Sequence, residues 1–277
     1  MSNAHTSLKG RTLVITGGSR GIGREVALRA AADGANVAIL AKTAEPHPKL
    51  PGTIHTVAQE VNEAGGKGLG VQTDVRFEES VQAAIDKVVE TFGGIDVLIN
   101  NAGAIQLTPT EMTTLKRFDL MHSINVRAPF LLARTCLPYL EKSDNAHVVS
   151  FSPPVSVEER WLGGHAAYTT SKFAMSMLAV GMAAEFRDKG IAVNALWPRT
   201  LIATAAVDML MGDEGMQASR TPAIMADATY ELLTTSNLDV TGQMLVDEDF
   251  LRTKGYSDFE KYRSHPDKEP LQDLYVD

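Results

Sequence analysis

The chain has 277 residues, a length that suits a single sizeable domain. Hydrophobic residues make up 44% of it and charged residues 22%, which is typical of globular proteins and argues against a disordered chain. The formal net charge of -8 argues against a nucleic-acid-binding protein, because phosphate binding requires a basic face. No apolar run approaches the ~20 residues that cross a bilayer, so we expect no membrane span.

Cysteine, histidine and the N-terminus give further expectations. Residues 1–5 lack the charged and apolar regions of a signal peptide. Cys136 is the single cysteine, which excludes an internal disulfide and fits a reducing compartment, and its neighbours are typical of a small buried helix residue. The seven histidines include no His-x3-His pair, so no metal site is predicted. We therefore expect a soluble, cytoplasmic protein.

Short β-branched apolar runs alternate with helical stretches along the chain. The predicted strands are 12–15, 36–40, 97–99 and 148–149, and the predicted helices include 24–33, 80–92 and 173–189. These helices end at Gly34, Gly93 and Gly190, as is typical of helix C-caps. Repeated strand–helix–strand units predict an α/β protein: a single-domain, Rossmann-like, doubly wound parallel sheet with helices on both faces.

Two segments are predicted to be irregular. The first is 43–52, which contains three prolines, and the second is the charged stretch from Ser257 onward, which contains two. We therefore expect one coenzyme-binding domain over residues 1–256, followed by a C-terminal tail over 257–277.

A glycine-rich turn follows the first predicted strand. Residues 16–23 read Thr-Gly-Gly-Ser-Arg-Gly-Ile-Gly, and a helix begins directly after them. Glycines at such a junction let backbone N–H groups approach a pyrophosphate, which the positive end of the helix also attracts. Glycine also marks ordinary turns, so the position between strand and helix is what makes this signal strong. The predicted ligands are Gly17, Ser19, Arg20, Gly21, Ile22 and Gly23.

The end of the second strand predicts which coenzyme is bound. Enzymes that select NAD usually carry a carboxylate there, which binds the ribose hydroxyls. This chain has Ala41 at that position, followed by Lys42, and Arg20 in the turn is a second candidate cation. Cations suit a 2′-phosphate, so we expect NADP(H). The alternative is that Lys42 is a solvated loop charge.

Together with later motifs, the Gly-x3-Gly-x-Gly spacing resembles the short-chain dehydrogenase/reductase family over about residues 9–247. The matching motifs are Thr73-Asp74-Val75, Asn100-Asn101-Ala102-Gly103, Asn125, Tyr168-x3-Lys172 and Pro198. The resemblance implies that Asp74 contacts adenine and that Asn101, Ala102, Pro198 and Ile202 also contact the coenzyme. Residues 41–49 and 194–198 more narrowly resemble the hydroxysteroid dehydrogenase-like subgroup, whose vertebrate members add a sterol-carrier domain that this sequence lacks.

Tyr168 and Lys172 lie four residues apart in a helical stretch, so their side chains share one face. A free tyrosine has a pKa of ~10, and a nearby ammonium and a nicotinamide cation are expected to lower it. Tyr168 can then give a proton to a carbonyl or take one from an alcohol, while Lys172 also holds the nicotinamide ribose. The resemblance implies that Asn125 binds a water linking Lys172 to solvent. Alternatively, Asn125 is a helix-interior residue that satisfies backbone groups.

One position departs from the family. The serine that polarises the substrate oxygen is replaced by Pro153 in the segment Ser150-Phe151-Ser152-Pro153-Pro154-Val155-Ser156. Ser156, twelve residues before Tyr168, is the favoured substitute. Ser152, or no serine at all, remains the alternative.

Residues 200–220 are expected to cover the substrate. They carry apolar side chains with few charges, namely Leu201, Ile202, Val207, Met209, Leu210, Met211 and Met216. Soft, flexible side chains suit a lipophilic ligand, although ordinary packing explains them equally well. Trp161 and His165 are further candidates for the cavity wall, with a surface position as the alternative for His165.

The sequence thus predicts an NADP(H)-dependent oxidoreductase acting on an apolar aldehyde, ketone or secondary alcohol. The alternative, which Pro153 favours, is a catalytically weak NADP(H)-binding sensor or scaffold. The resemblance also implies a homo-oligomer, a dimer or tetramer, paired through the helix near 111–137 and the helix that begins near Tyr168.

Overall fold

The computed structural model describes residues 7–47 and 50–277. Seven parallel strands form one central sheet in the order β3-β2-β1-β4-β5-β6-β7. They are β1 (Thr12–Thr16), β2 (Asn36–Ala41), β3 (Lys67–Gln72), β4 (Val97–Asn100), β5 (Ala146–Ser150), β6 (Ile191–Trp197) and β7 (Met244–Val246). The predicted doubly wound parallel sheet is confirmed.

Ten α-helices connect the described strands. They are α1 (Gly21–Ala31), α2 (Ile54–Glu63), α3 (Glu78–Phe92), α4 (Leu115–His122), α5 (Ala128–Leu140), α6 (Glu159–Leu162), α7 (Ala166–Phe186), α8 (Ala205–Gln217), α9 (Ala223–Leu233) and α10 (Asp247–Thr253). Short 3-10 turns cover Thr110–Met112, Arg187–Lys189 and Glu260–Tyr262, and a π-helical turn, Ser123–Arg127, joins α4 to α5. Within 7–47 and 50–277, every helix is too short or too polar to cross a membrane.

The strand order creates a crevice at the centre of the sheet. The chain runs outward from β1 through β2 to β3, then returns to place β4 on the other side of β1. Thr16 pairs with Leu40 on one side, and Ile15 pairs with Ile99 on the other. The loops after β1 and β4 therefore diverge, and this point at the carboxyl ends of the strands is where α/β sheets bind ligands.

Both faces of the sheet are buried by helices. Leu13 and Ile15 of β1 pack on the side of α1 and α9, whereas Val14 packs on the side of α3 and α5. This alternation follows from the two-residue period of a strand, and burial on both sides explains why the central strands are largely apolar. Cys136 is buried on the side of the sheet that α3 and α5 cover, and its predicted burial is confirmed.

Several predicted boundaries move. Helix α1 begins at Gly21 instead of residue 24, and α7 begins at Ala166 instead of residue 173. Gly93 and Gly190 end their helical segments in the left-handed conformation, as predicted, with φ of 87° and 70°. Residues 1–6 of the predicted domain, and residues 48–49 of the 41–49 motif, lie outside the described residues.

The C-terminal residues pack near the carboxyl end of β6. Gln272 bridges to Thr200, and the indole N–H of Trp197 donates a 2.8 Å hydrogen bond to the carbonyl of Leu274. The division into a domain over 1–256 and a C-terminal segment over 257–277 stays a prediction, and the segment contacts the domain.

Candidate active site

The glycine-rich turn is fixed to the loop after β4. The Thr16 hydroxyl accepts hydrogen bonds from the backbone N–H groups of Asn101 and Ala102, both at 3.1 Å. The Asn101 side chain donates to the carbonyls of Thr16 and Gly17, at 2.8 and 3.0 Å. This network holds the two loops beside the crevice.

Close packing explains the glycines. Gly17 has a φ of +67°, and a Cβ there would lie 2.9 Å from the Ala102 Cα. A Cβ on Gly23 would lie 2.5 Å from the Asn101 side-chain nitrogen. Helix α1 starts at Gly21 with no acidic residue in its first turn, so the positive end of the helix faces no competing carboxylate. The turn therefore fits a phosphate group.

A cleft of about 290 Å³ extends from this turn past the ends of β2 and β3. The predicted coenzyme residues among its lining are Gly17, Ser19, Arg20, Lys42, Asp74, Asn101 and Ala102. The Arg20 guanidinium donates to the carbonyls of Pro51 and Gly52, at 3.1 and 3.0 Å. Hydrogen bonds from Arg76 lower the pKa of Asp74. The cleft thus has a cation at Lys42 and no acidic side chain at the end of β2.

Tyr168 and Lys172 meet in a central cleft of about 360 Å³, which also contains Gly21, Ile22 and Asn125. Both side chains are buried on α7. The Lys172 ammonium donates to the carbonyl of Phe151, just beyond β5, and lies 4.9 Å from the centre of the Trp197 ring. The predicted helix face is therefore present and points into the crevice.

The side chains of this site do not by themselves lower the pKa of Tyr168. Burial lowers the pKa of Lys172 to about 7, an effect that Asp273 opposes. Burial raises the pKa of Tyr168 well above its ordinary value, and the neighbouring Tyr275 and Asp273 raise it further. In the protein without coenzyme the pKa of Tyr168 is therefore raised, because desolvation of the phenol disfavours the phenolate. The expected lowering by Lys172 together with a nicotinamide cation stays a prediction.

Asn125 is held at the π-helical turn. Its amide nitrogen donates to the Ala104 carbonyl and to the Ser171 hydroxyl, both at 2.9 Å, and its amide oxygen accepts from the Ala104 N–H at 2.9 Å. The side chain is fully buried and ties the loop after β4 to α7. These contacts match the alternative in which Asn125 satisfies backbone groups, and its water-binding role stays a prediction.

Neither candidate serine is among the residues that line the clefts at Tyr168. The Ser152 hydroxyl is fully buried, without a hydrogen-bond partner among the described residues. The Ser156 hydroxyl accepts from the backbone N–H of Glu158 at 3.2 Å. Pro153 contributes only its carbonyl, which accepts from Ser176. The structure therefore gives no geometric support to the favoured role of Ser156.

A larger, mostly apolar cavity of about 770 Å³ adjoins Tyr168. Its wall includes Pro198 and five of the seven predicted lid residues: Leu201, Ile202, Val207, Leu210 and Met211. Met209 is instead 67% exposed on the outer side of α8. Gly212, with a φ of 62°, interrupts α8 and separates these wall residues from the rest of the helix. Met216 is not part of the lining.

The C-terminal segment supplies another wall that the sequence reasoning missed. Residues 271–274 line the cavity, and the Tyr275 ring packs among the rings of Trp161, His165, Tyr168, Phe173 and Trp197. Trp161 and His165 thus support Tyr275 and do not line the cavity themselves. The sequence Leu-Gln-Asp-Leu-Tyr-Val could have indicated that this segment packs against the protein, because it is mostly apolar and follows a charged stretch.

Comparisons with known proteins agree with this architecture. The family described as short chain dehydrogenase matches residues 11–214. "Hydroxysteroid dehydrogenase-like protein 2" of Xenopus tropicalis is 52% identical over 270 residues, which cover 98% of this chain and 64% of that protein. The chain therefore spans just under two thirds of the length of this relative.

Two solved structures are also similar. A short chain dehydrogenase from Mycobacterium thermoresistibile has a TM-score of 0.93 and 50% identity, covering 98% of this chain and 96% of that one. A metagenomic short-chain oxidoreductase in complex with NADP has a TM-score of 0.71 and 26% identity, covering 86% of this chain and 97% of that one. The chain therefore belongs to the short-chain dehydrogenase/reductase family, whose members are oxidoreductases that bind nicotinamide coenzymes.

Proposed function

We propose that the protein is an NADP(H)-dependent oxidoreductase that interconverts an apolar carbonyl compound and its alcohol, with Tyr168 as the proton donor and acceptor. The observation that carries this proposal is the position of Tyr168 at the junction of two clefts. It lines both the cleft that contains Lys172 and the glycine-rich turn and the 770 Å³ apolar cavity. A substrate in the apolar cavity therefore meets Tyr168 beside the coenzyme site.

The residues of the chain then have separate tasks. When bound, the coenzyme supplies or accepts the hydride. The raised pKa of Tyr168 keeps its phenol protonated at neutral pH, which is the form needed to donate a proton to a carbonyl oxygen. Lys172, whose pKa lies near 7, can return a proton to Tyr168 after each turnover and can also hold the nicotinamide ribose. Pro198 and Ile202 bound the apolar side of this space.

The preference for NADP(H) rests on charge. Lys42 lines the cleft beyond β2, whose last residue, Ala41, carries no carboxylate. An ammonium attracts the negatively charged 2′-phosphate of NADP(H), whereas a carboxylate at this position would repel it. Arg20 lies in the same cleft as a second cation. The metagenomic relative bound to NADP is consistent with this choice.

We also propose that the protein forms a homo-oligomer, a dimer or a tetramer, in the cytoplasm. Helices α5 and α7 present Phe130 and Met177, which are 52% and 63% exposed, beside a groove that includes Val126 and Leu178. Large exposed apolar side chains next to one another are typical of interfaces. The buried, single Cys136 fits the reducing conditions of the cytoplasm.

A catalytically weak NADP(H)-binding sensor or scaffold is the second candidate. It is favoured by Pro153, which cannot donate a hydrogen bond to a substrate oxygen. Both the oxidoreductase and the sensor would bind NADP(H), but only the oxidoreductase would turn over a carbonyl substrate. One experiment therefore separates the two proposals.

The test is NADPH consumption with a panel of medium-chain aldehydes and ketones, using the wild type, Tyr168→Phe and the control Tyr139→Phe on α5. We expect the wild type and the control to turn over, and Tyr168→Phe to lose ~10²-fold or more because only the transferable proton is removed. NADPH affinity, measured by fluorescence, should be unchanged in all three. Turnover by Tyr168→Phe within a few-fold of the wild type would contradict the proton-transfer role. Tight NADPH binding without turnover of any carbonyl would favour the sensor.

A further inference from the structure

A carbonyl oxygen in the apolar cavity needs hydrogen-bond donors besides Tyr168, because a developing negative charge there is costly in an apolar setting. The polar side chains in the described lining are Tyr168, Trp197, Thr204, Gln272 and Asp273. The Trp197 indole N–H donates to the Leu274 carbonyl, and the Gln272 amide donates to the Val276 carbonyl at 2.7 Å. These two groups are therefore already engaged in holding the C-terminal segment.

Thr204 and Asp273 remain. Thr204 lies against the glycine-rich turn, since a Cβ on Gly21 would be 3.4 Å from its methyl group. It thus belongs to the coenzyme side of the site. Asp273 lies on the opposite wall, and with Tyr168 it is one of the two titratable side chains in the described lining.

The position of Asp273 is fixed on both sides. Its backbone N–H donates to the Arg199 carbonyl at 3.0 Å, next to Pro198. One carboxyl oxygen accepts from the Leu274 N–H at 2.7 Å, and among the described residues no hydrogen bond engages the other oxygen. The packed ring of Tyr275 anchors the segment two residues later. A side chain held in this way can present a donor without first becoming ordered.

We propose that Asp273 is a further catalytic residue, whose protonated carboxyl donates a hydrogen bond to the substrate oxygen while Tyr168 delivers the proton. This assignment rests on the proposed function. The hydride adds to the carbonyl carbon, the Tyr168 proton passes to the carbonyl oxygen, and Asp273 keeps its own proton throughout. Asp273 would therefore supply the hydrogen bond to the substrate oxygen that a serine hydroxyl at position 153 would otherwise donate.

Burial is the largest effect that favours the protonated form of Asp273. Its pKa is raised to about 7, because burial and the nearby Asp247 at the start of α10 together outweigh the Leu274 N–H bond and Lys172 on α7, which both lower it. Tyr168 and Tyr275 are its uncharged neighbours. The Arg199 guanidinium is engaged by Asp249 and by the carbonyl of Asp277. A protonated carboxylic acid kept neutral by its surroundings is an established type of hydrogen-bond donor to a developing oxyanion.

The first test is the pH dependence of kcat for the wild type, Asp273→Asn and Asp273→Ala, with Asp267→Asn as an exposed control in the same segment. Wild-type kcat for carbonyl reduction should fall as the pH rises through about 7, because ionised Asp273 loses its donor and repels the developing charge. Asp273→Asn should keep kcat within ~10-fold, since an amide also donates, and its decline should be shallower than that of the wild type because only the contribution of Lys172 remains. Asp273→Ala should lower kcat by ~10²-fold with unchanged NADPH affinity.

The results that overturn the proposal are equally specific. A decline in Asp273→Asn with the same midpoint and steepness as in the wild type belongs to Lys172 alone and removes the role of Asp273. A kcat of Asp273→Ala within three-fold of the wild type does so as well. A second measurement needs no substrate: carboxyl ¹³C NMR of the NADP complex, with Asp273→Asn identifying the resonance. A midpoint near 7 is expected, and a midpoint below 5 would overturn the proposal. If the wild type reduces no carbonyl, that result contradicts the proposed function. The NMR midpoint then decides separately whether the Asp273 carboxyl is protonated near neutral pH.

Discussion

Replacing Tyr275 with alanine should release the C-terminal segment from the cavity. Tyr275 is 3% exposed, and its ring centre lies 5.1 Å from that of Phe173 and 5.9 to 6.5 Å from four other rings. Its φ of 71° is the only positive value at a non-glycine residue in the described chain. An aromatic residue in this conformation costs ~1–2 kcal/mol, so ring packing must outweigh backbone strain.

The expected sizes follow from these contacts. Removing a buried aromatic ring costs ~3–5 kcal/mol, and alanine keeps the backbone strain because it keeps the Cβ. Tyr275→Gly should be less damaging than alanine by ~1 kcal/mol, since glycine adopts positive φ freely. Tyr275→Phe removes only the hydroxyl, which lies 3.0 Å from the Thr169 hydroxyl, and should cost ~1 kcal/mol. The C-terminal segment should therefore open most often in Tyr275→Ala, less often in Tyr275→Gly and least often in Tyr275→Phe.

Hydrogen exchange of the Trp197 indole N–H measures this opening, because that group is bonded to the Leu274 carbonyl at 2.8 Å. The exchange rate should rise by ~10² to ~4 × 10³-fold in Tyr275→Ala and by roughly 5-fold in Tyr275→Phe, given that ~1.4 kcal/mol corresponds to a factor of ten. Amides of β5 serve as the control and should keep their protection. An unchanged indole rate in Tyr275→Ala, or equal acceleration of the β5 amides, would refute the idea of a separately docked segment.

Two further predictions concern the coenzyme and the assembly. Lys42→Ala should weaken NADPH binding by ~10-fold in a fluorescence titration and leave NADH binding unchanged, because only NADPH carries the 2′-phosphate. Lys87→Ala on α3 is the matched control, and equal loss for both coenzymes would argue against a phosphate contact. Phe130→Glu should convert the oligomer to a monomer in light scattering, because a charge would be buried at the α5–α7 surface. A wild type that is already monomeric at micromolar concentration would rule out the proposed assembly.

Local patterns made much of the site predictable. The glycine-rich turn spans eight consecutive residues, and its glycines are needed for contacts that the strand–turn–helix order already implies. Tyr168 and Lys172 share a helix face through a spacing of four residues. Lys42 follows its strand directly. In each case the chemistry depends on neighbours close in the sequence.

The parts that escaped prediction depend on distant neighbours. Asp273 lines the same cavity as Tyr168 although about a hundred residues separate them in sequence, and the charged stretch before it resembles a solvated tail. The direction of the Tyr168 pKa depends on burial and on that same carboxyl, neither of which the Tyr-x3-Lys spacing reveals. The spacing of Ser152 and Ser156 from Tyr168 could not show that both serine hydroxyls lie outside the lining of the clefts at Tyr168.

The cavity wall has a consequence for how substrate choice can change. Helix α7 carries Tyr168 and Lys172, whereas much of the apolar wall comes from α8 and residues 271–274, which lie outside the sheet. Substitutions at Val207, Leu210 or Leu271 can reshape the space for the substrate without disturbing the sheet or the catalytic helix. Much of the apolar wall is therefore separable from the side chains proposed to act in catalysis, and libraries restricted to Val207, Leu210 and Leu271, which leave Asp273 unchanged, offer a direct route to variants with new substrate ranges.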